Sequence, residues 1–196
     1  MCGLTGFVDF SRSTDAETLS RRVEAMANTL KHRGPDDEGT WADAEAGVAL
    51  GFRRLSIIDL SVHGHQPMAS ASGRHVIVFN GEVYNFQELR KELTAAGAKF
   101  KGNSDTEVIL EAIEAWGLEQ AVQRFIGMFA IALWDRSERT LHLIRDRLGV
   151  KPLYWGRQGN LLLFGSELKA LRAHPGWTPE VNRRAPAAYF RYAYVP

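Results

Sequence analysis

The stretch Met1-Cys-Gly-Leu-Thr-Gly-Phe-Val-Asp-Phe10 decides the fold, because it places a core strand at the very start of the chain. Apolar and β-branched residues begin at once, a pattern that is typical of a strand entering a hydrophobic core. Most chain termini are loosely held, so a strand that begins here would hold Cys2 in a fixed position. Gly3 and Gly6 would allow another backbone or a ligand to approach closely.

Cys2 is the only cysteine among the 196 residues, and it follows Met1 directly. Removal of Met1, which a small second side chain permits, would leave Cys2 with both a thiol and a free α-amine. The thiol, with an ordinary pKa of about 8.5, is a strong nucleophile, and the amine, with an ordinary pKa near 8, is a base within its reach. Amine-assisted attack is an established variant of the nucleophile–base pair. The alternative is a second-position cysteine with no chemical role.

The composition limits the classes of protein that need to be considered. A chain of 196 residues is long enough for one domain with a sizeable core, and its net charge of +1 gives no reason to expect a nucleic acid or a membrane surface as partner. No apolar stretch approaches the ~18 residues that a membrane-spanning helix needs. A single cysteine cannot form an intramolecular disulfide and fits a reducing cytoplasm.

Helix and strand signals alternate in blocks along the chain. Capping boxes at 14–17, 85–88 and 104–107 predict three helices, which should end near Arg33, Ala96 and Gly117. Alternating apolar patterns predict strands, and a short helix follows them at 167–173. The predicted strands lie at 39–42, 48–58, 74–79, 128–134, 140–145, 152–156 and 160–165, the last four as a meander. This arrangement indicates an α+β fold with two antiparallel sheets packed between helix layers.

Asn80-Gly81 follows the apolar strand at 74–79 and could bind an oxyanion. A thiolate that attacks a carbonyl creates such an oxyanion, which needs preorganised hydrogen-bond donors. The asparagine amide and the unhindered glycine N–H would supply them. The alternative is a type I′ hairpin turn, the usual role of Asn-Gly, although the next segment resembles a capped helix rather than a partner strand.

Two charged positions could hold the polar head of a substrate. Alternation along a strand sends either Arg53 or Arg54 inward, where a guanidinium could bind a carboxylate with two hydrogen bonds. A structural ion pair with Asp59 is the alternative. Asp105 lies in the first turn of a predicted helix, where it could either favour the helix dipole or bind an ammonium group.

Metal and nucleotide sites have weak support in the sequence. His63-Gly-His65 has a spacing that metal ligands use, but no third histidine or carboxylate cluster accompanies it, which favours a loop. The glycine patterns of phosphate-binding loops are missing. We therefore expect no cofactor for this domain.

Taken in order, nine motifs resemble the glutaminase domain of the glutamine-dependent asparagine synthetases, a class II glutamine amidotransferase of the N-terminal nucleophile hydrolase type. The motifs are Met1-Cys-Gly3 with Gly6, His32-Arg-Gly-Pro-Asp36, Arg54-Leu-Ser-Ile-Ile-Asp59, Gly64-His-Gln-Pro67, Asn80-Gly-Glu-Val-Tyr-Asn85, Ser104-Asp-Thr-Glu-Val-Ile109, Gly127-Met-Phe-Ala130, Arg145-Asp-Arg-Leu-Gly149 and Gly165-Ser-Glu-Leu-Lys169. The resemblance implies a four-layer α/β/β/α sandwich. It also implies that Cys2 attacks the side-chain amide of glutamine while Asn80 and Gly81 form the oxyanion hole.

The same resemblance implies a binding pocket for the rest of the glutamine molecule. Arg54 would bind the α-carboxylate, and Asp105 and Glu82 would serve the α-amine. The backbone around Ile57 and Ile58 would line the pocket. A nucleophile, oxyanion donors, a cation and an anion are what an amide substrate with a zwitterionic head requires.

The family also sets expectations for the domains and partners. Residues 1–182 would form the amidotransferase domain, and 183–196 would begin a linker to a C-terminal ATP-dependent synthetase domain, which alone would need ATP and Mg²⁺. The partners would be L-glutamine and that synthetase domain or subunit, with a homodimer as a further option. Aspartate is the expected acceptor of the ammonia. The alternatives are another acceptor, such as a sugar uronate in polysaccharide assembly, and a non-catalytic module that keeps only the fold.

Overall fold

Two antiparallel sheets form the body of the protein in a computed structural model that describes residues 1–180, 182 and 184–194. The first sheet has the strand order β2-β3-β1-β9-β8 and the second has the order β4-β5-β6-β7. The strands are β1 (Gly3–Asp9), β2 (Asp37–Asp43), β3 (Val48–Arg54), β4 (Met68–Ala69), β5 (His75–Val83), β6 (Gly127–Asp135), β7 (Thr140–Arg145), β8 (Tyr154–Gln158) and β9 (Leu161–Gly165).

Helices cover the outer face of each sheet. The helices are α1 (Ala16–Asn28), α2 (Phe86–Ala95), α3 (Asp105–Trp116), α4 (Leu118–Arg124), α5 (Leu168–Arg172) and α6 (Arg184–Tyr192). The helices α1 and α5 pack on the first sheet, and α3 packs on β5 of the second sheet and on α2 and α4. The order of layers is therefore helix, sheet, sheet, helix, as predicted.

The strand β1 is buried along its whole length because both of its faces are covered. On one face, Leu4 and Val8 join an apolar cluster with Val78 and Ala132 of the second sheet. On the other face, Phe7 packs into a second cluster with residues of α1. The expectation that the chain begins with a core strand is confirmed, and Cys2 directly precedes that strand.

Gly6 shows why the start of the chain needs small residues. A Cβ atom at this position would clash with the ring of Phe164 and with the carbonyl oxygen of Ala49 in the neighbouring strand. The close approach of a second backbone, which the sequence predicted, is present here.

The ends of the helices differ in part from the sequence predictions. Ser104 caps α3 as predicted, accepting a hydrogen bond from the N–H of Glu107, and Gly117 ends this helix. The first helix is capped by Asp15 rather than by the predicted Thr14, and it ends at Asn28. The Asn85 side chain does not cap α2 but donates to the carbonyl of Arg124 and accepts from the N–H of Ile126.

The predicted meander in the last third of the chain is wrong. The strands β6 and β7 pair in the second sheet, whereas β8 and β9 pair in the first. Alternation of apolar residues indicates a strand but does not encode which sheet receives it, because both inner faces bury the same kinds of side chain. The sequence also missed α4, and it extended the third strand to residue 58, although β3 ends at Arg54.

The C-terminal segment contains α6, which buries no side chain. This helix falls within the stretch 183–196 that we expected to begin a linker, and positions 181, 183, 195 and 196 lie outside the described residues. In the part of the chain that the structure describes, no helix is long and apolar enough to cross a membrane.

Candidate active site

The backbone around Cys2 is held from three directions. The strand β1 pairs with β3 from Gly3 onward, opposite Arg53. Arg33 Nε donates a hydrogen bond of 2.9 Å to the carbonyl oxygen of Cys2. The N–H of Leu55 donates to the sulfur at 3.4 Å. The thiol therefore has a defined position although it lies at the end of the chain.

The thiol of Cys2 is protonated at neutral pH in this form of the chain. Burial raises the pKa of the Cys2 thiol above its ordinary value, and the nearby carboxylate of Asp105 acts in the same direction. The Leu55 contact, the terminal ammonium and Arg54 oppose this effect without outweighing it. A base is therefore needed to generate the thiolate, and the nitrogen of Cys2 is part of the peptide bond to Met1 as the chain stands.

A cavity of about 170 Å³ opens beside the thiol. All of the site residues predicted from the sequence line this cavity, namely Cys2, Arg54, Ile57, Ile58, Asn80, Gly81, Glu82 and Asp105. They come from four separate parts of the chain, so the fold brings together the set that the sequence singled out.

Asn80 and Gly81 lie inside a strand rather than in a turn. The strand β5 continues through both residues to Val83 and pairs with β6, with Asn80 opposite Ala130. The hairpin-turn alternative, and the predicted end of this strand at residue 79, are therefore wrong. The Asn80 carboxamide nitrogen is buried and has no hydrogen-bond partner among the described residues. Buried donors are rarely left unpaired, so this amide is available to a ligand in the cavity.

Gly81 is half-buried in the cavity wall, at a position that has no room for a side chain. A Cβ atom at this position would clash with the carbonyl oxygen of Met128 in β6. The requirement for glycine thus comes from the close pairing of the two strands.

Arg54 is buried and points toward the cavity, whereas Arg53 points to the other face of its sheet. Arg54 Nη1 donates to the carbonyl of Ser61 at 3.0 Å, and Nη2 donates to the carbonyl of Asp59. Arg53 pairs with Glu38 and is also buried, so neither arginine faces open solvent.

The predicted ion pair with Asp59 does not form in the described structure. The Asp59 carboxylate instead accepts hydrogen bonds from the N–H groups of Ser61 and Asn103, at 2.8 and 2.7 Å. Arg54 contacts only the backbone of this loop, through the two carbonyl oxygens. Its guanidinium lines the cavity, lies 3.9 Å from a carboxylate oxygen of Asp37, and holds the loop that forms one wall.

Asp105 is a buried carboxylate that lines the same cavity. It accepts a hydrogen bond of 3.1 Å from the N–H of Val83, and it does not cap its helix, because Ser104 does so. Burial raises the pKa of Asp105 to about 6, and the neighbouring charge of Glu82 adds to the effect. A cationic ligand would relieve the cost of this buried charge. The surroundings of Asp105 therefore favour the second role considered for it, binding of an ammonium group, over a role at the helix end.

Ile57 and Ile58 stand at the mouth of the cavity. Ile57 is 72 % exposed and Ile58 is 36 % exposed. Their loop follows β3 and carries the backbone groups that bind Cys2 and Arg54. The structure thus places both side chains at the rim of the cavity, where they line it and supply no polar or charged group.

Three further residues of the site were not assigned a role from the sequence. Arg33 and Gln66 lie in motifs that carried the family resemblance, whereas Lys151 gave no signal. Gln66 accepts a hydrogen bond of 2.6 Å from the N–H of Phe79 and donates one of 3.2 Å to Thr106 Oγ1. It therefore joins the strand that carries Asn80 to the helix that carries Asp105.

His63 and His65, whose spacing could suit a metal, lie in a loop next to one carboxylate. His65 Nδ1 lies 2.8 Å from a carboxylate oxygen of Asp37, and His63 lies in a short 3₁₀ turn at Val62–Gly64. Within the described ranges, no group of three or more histidine, cysteine or acidic side chains is arranged to hold a metal ion.

The chain belongs to the glutamine amidotransferase domain family, whose sequence model matches residues 1–196. The family membership confirms the resemblance seen in the motifs and the assignment to an enzyme class.

Two relatives show how far the similarity extends. The chain is 43% identical over 185 residues to asparagine synthetase [glutamine-hydrolyzing] 3 of Bacillus subtilis, covering 93% of this chain and 29% of that protein. It is 40% identical over 210 residues to a putative asparagine synthetase [glutamine-hydrolyzing] of Mycobacterium bovis, covering 100% of this chain and 32% of that protein. The chain thus spans less than a third of the length of these relatives.

A solved structure confirms the fold class. The glutamine phosphoribosylpyrophosphate amidotransferase of B. subtilis superposes with a TM-score of 0.73 over 87% of this chain and 43% of that one, at 19% identity. At this level of identity the likeness concerns the fold alone, an α+β sandwich of two antiparallel sheets between helices.

Proposed function

We propose that this domain hydrolyses the side-chain amide of L-glutamine to glutamate and ammonia, with Cys2 as the nucleophile. The observation that carries the proposal is the buried, unpartnered carboxamide of Asn80 in the same cavity as the Cys2 thiol. A donor left free beside a nucleophile is the arrangement that an oxyanion requires.

The proposed reaction needs the α-amine of Cys2. The amine takes the thiol proton, and the sulfur attacks the amide carbon to form a C–S bond. The negative charge on the oxygen is held by the Asn80 amide and the Gly81 N–H. The amine then gives its proton to the leaving nitrogen, ammonia departs, and water hydrolyses the resulting thioester to release glutamate and the free thiol.

The binding roles follow from the opposite charges of two groups that line one cavity. Arg54 binds the α-carboxylate of glutamine and Asp105 binds its α-ammonium group, with Glu82 adding negative charge near that end. The loop at Ile57 and Ile58 covers the aliphatic part. These assignments rest on the placement of the groups around one cavity.

We further propose that the ammonia serves the ATP-dependent amidation of aspartate to asparagine in a C-terminal synthetase domain or partner subunit. The support is the activity that gives these relatives their name, asparagine synthetase, and their length is more than three times that of this chain. ATP and Mg²⁺ belong to that second half-reaction, and this domain needs no cofactor. We infer a cytoplasmic setting, since the reaction depends on a reduced thiol.

The test uses the chain after enzymatic removal of Met1, with the Met1-retaining chain beside it. We expect glutamate release from the Met1-free form, loss of most of this activity in the Met1-retaining form, and near-complete loss in Cys2→Ala. The glutamine analogue 6-diazo-5-oxo-norleucine should label Cys2 alone, as peptide mass mapping can show. Glutaminase activity that persists in Cys2→Ala would refute the assignment, and a folded Met1-free chain without activity would favour a non-catalytic module.

A further inference from the structure

Lys151 has a fixed backbone at the edge of the active site. The Asp146 carboxylate accepts hydrogen bonds from the N–H groups of Val150 and Lys151, at 2.9 and 3.0 Å. Arg145 Nε donates to the Lys151 carbonyl at 2.6 Å. The turn that carries this lysine is therefore held on both sides, and its side chain leaves the backbone in a defined direction.

The ammonium group of Lys151 lies in the cavity without a counter-ion. The residue is only 5 % exposed and lines the same cavity as Cys2. Within the part of the chain that the structure describes, its hydrogen-bond partner is Met1 Sδ, at 3.2 Å. A thioether is a weak acceptor, and a buried charge without a strong partner is costly. A buried ammonium kept at this cost, aimed into the site, needs a functional reason.

Met1 connects this ammonium to the nitrogen of Cys2. Its side chain contacts Lys151, and its carbonyl carbon is bonded to that nitrogen. Removal of Met1 takes away the described contact of the ammonium and creates a free α-amine at the position to which Met1 was attached. Both amines then border the cavity that Met1 lined together with Cys2 and Lys151.

The other charged groups around Cys2 largely balance one another. Arg54 and Asp105 act on the Cys2 thiol in opposite directions. Arg33, which contacts the Cys2 carbonyl, is paired with Glu167 at 3.0 Å. The charged groups facing Cys2 from the surrounding elements are Arg33, Arg54, Asp59, Glu82, Asp105 and Lys151. Among the three cations of this set, Lys151 is the one that has neither a carboxylate nor a loop carbonyl as partner in the described structure.

We propose that Lys151 is a positioning residue that keeps the α-amine of Cys2 in its neutral, basic form. The inference rests on the proposed function, in which this amine accepts the thiol proton. An ordinary α-amine, with a pKa of about 7.7 to 8.0, is mostly protonated at neutral pH and is then no base. A second cation close by disfavours protonation, and a neighbouring cationic group is a known way to activate an amine.

The test measures kcat at saturating glutamine from about pH 5.5 to about pH 9, a range that brackets an ordinary α-amine. Met1-free protein is compared with two variants. Lys151→Met has a side chain of similar length without the charge, and Lys151→Arg keeps the charge. Lys91→Met, at an exposed position on α2, is the matched control. In Lys151→Met we expect the acid limb of kcat to move up by about one pH unit, a loss of about tenfold below the limb, and an unchanged plateau above it. Lys151→Arg and Lys91→Met should keep the original profile, and KM should be unchanged in all three.

A second measurement follows the amine itself. Competitive acetylation of the terminal amine at a series of pH values, quantified by mass spectrometry, should show the amine titrating lower in the parent protein than in Lys151→Met. Equal titration in the two proteins would overturn the inference while leaving the glutaminase intact. A rise in KM would make Lys151 a substrate contact, and an equal loss at every pH in both Lys151 variants would make it structural; each outcome refutes the proposal. Failure of the proposed function would be visible separately, as a Met1-free parent that releases no glutamate.

Discussion

At the scale of single residues, the unpartnered amide of Asn80 is the most informative group in the molecule. It is buried inside a strand, and its donor points to no described acceptor. A donor placed for an oxyanion contributes when charge develops in the transition state and contributes little to ground-state binding. Asn80→Ala should therefore lower kcat about 10²- to 10³-fold with a small change in KM.

The matched control for this prediction is Asn160→Ala, at an exposed position in the turn between β8 and β9. It should leave both kinetic parameters unchanged. Steady-state glutamate release, together with a thermal melt to verify folding, provides the measurement. A rise in KM alone for Asn80→Ala would place this amide on the substrate rather than on the oxyanion.

Asp105 predicts a pH dependence of glutamine binding. Burial raises the pKa of its carboxyl group to about 6, so the group is ionised above this pH and neutral below it. An ammonium group binds only the ionised form, and KM for glutamine should therefore be constant above about pH 7 and rise as the pH falls through 6. Asp105→Asn should show a high KM at every pH. An unchanged KM down to about pH 5 in the parent protein would contradict the role.

At the scale of elements, Gln66 connects the two structures that carry catalytic and binding groups. Its amide bonds to Phe79, next to Asn80, and to Thr106, next to Asp105. Gln66→Leu would leave the buried N–H of Phe79 unpaired, which costs about 1–3 kcal/mol. We expect this loss in the free energy of unfolding by urea, with both a lower kcat and a higher KM. The control Gln87→Leu, at an exposed position on α2, should change the free energy of unfolding by no more than about 0.5 kcal/mol. Equal effects of the two substitutions would contradict the connecting role of Gln66.

The elements also show what the sequence could and could not supply. Local signals were sufficient for β7, whose bounds coincide with 140–145, and for the Ser104 cap of α3. The assignment of β8 and β9 to the first sheet depends on long-range pairing with β1, which no local pattern carries. Long-range pairing also explains Asn80-Gly81. This dipeptide usually forms turns, but here it continues as a strand because β6 pairs with β5 through Val83.

The candidate site was more predictable than the topology. Its members were recognisable because each carries a chemical group that the reaction needs, and all of them line one cavity. Lys151 could not be found in this way, since its significance comes from burial beside Met1, a residue far away in sequence. Burial of a charge is a property of the assembled fold.

At the scale of the whole molecule, the active site exists only where the two sheets meet. Cys2 comes from the first sheet and Asn80 from the second, and the apolar cluster that holds Leu4 and Val78 together sets their separation. Interiors are close-packed and resist small displacements. The distance from the thiol to Arg54 and Asp105 is consequently a fixed length, and in the proposed reaction this length would select the substrate.

This fixed length predicts which amide is hydrolysed and what the reaction requires. With its head on Arg54 and Asp105, glutamine brings its amide carbon to Cys2, whereas asparagine, one methylene shorter, stops short of the sulfur. A misplacement of about 1 Å can cost about 10²-fold in rate, so kcat/KM for asparagine should be lower by at least about this factor.

Glutamate release from the Met1-free chain should also be unaffected by ATP or by EDTA, since the proposed chemistry uses only protein groups. Ammonia and glutamate assays with both amides, each with and without ATP and EDTA, test these points. Comparable rates for asparagine would refute the two-ended binding of the substrate, and a strict need for ATP or a metal would refute hydrolysis by this domain alone.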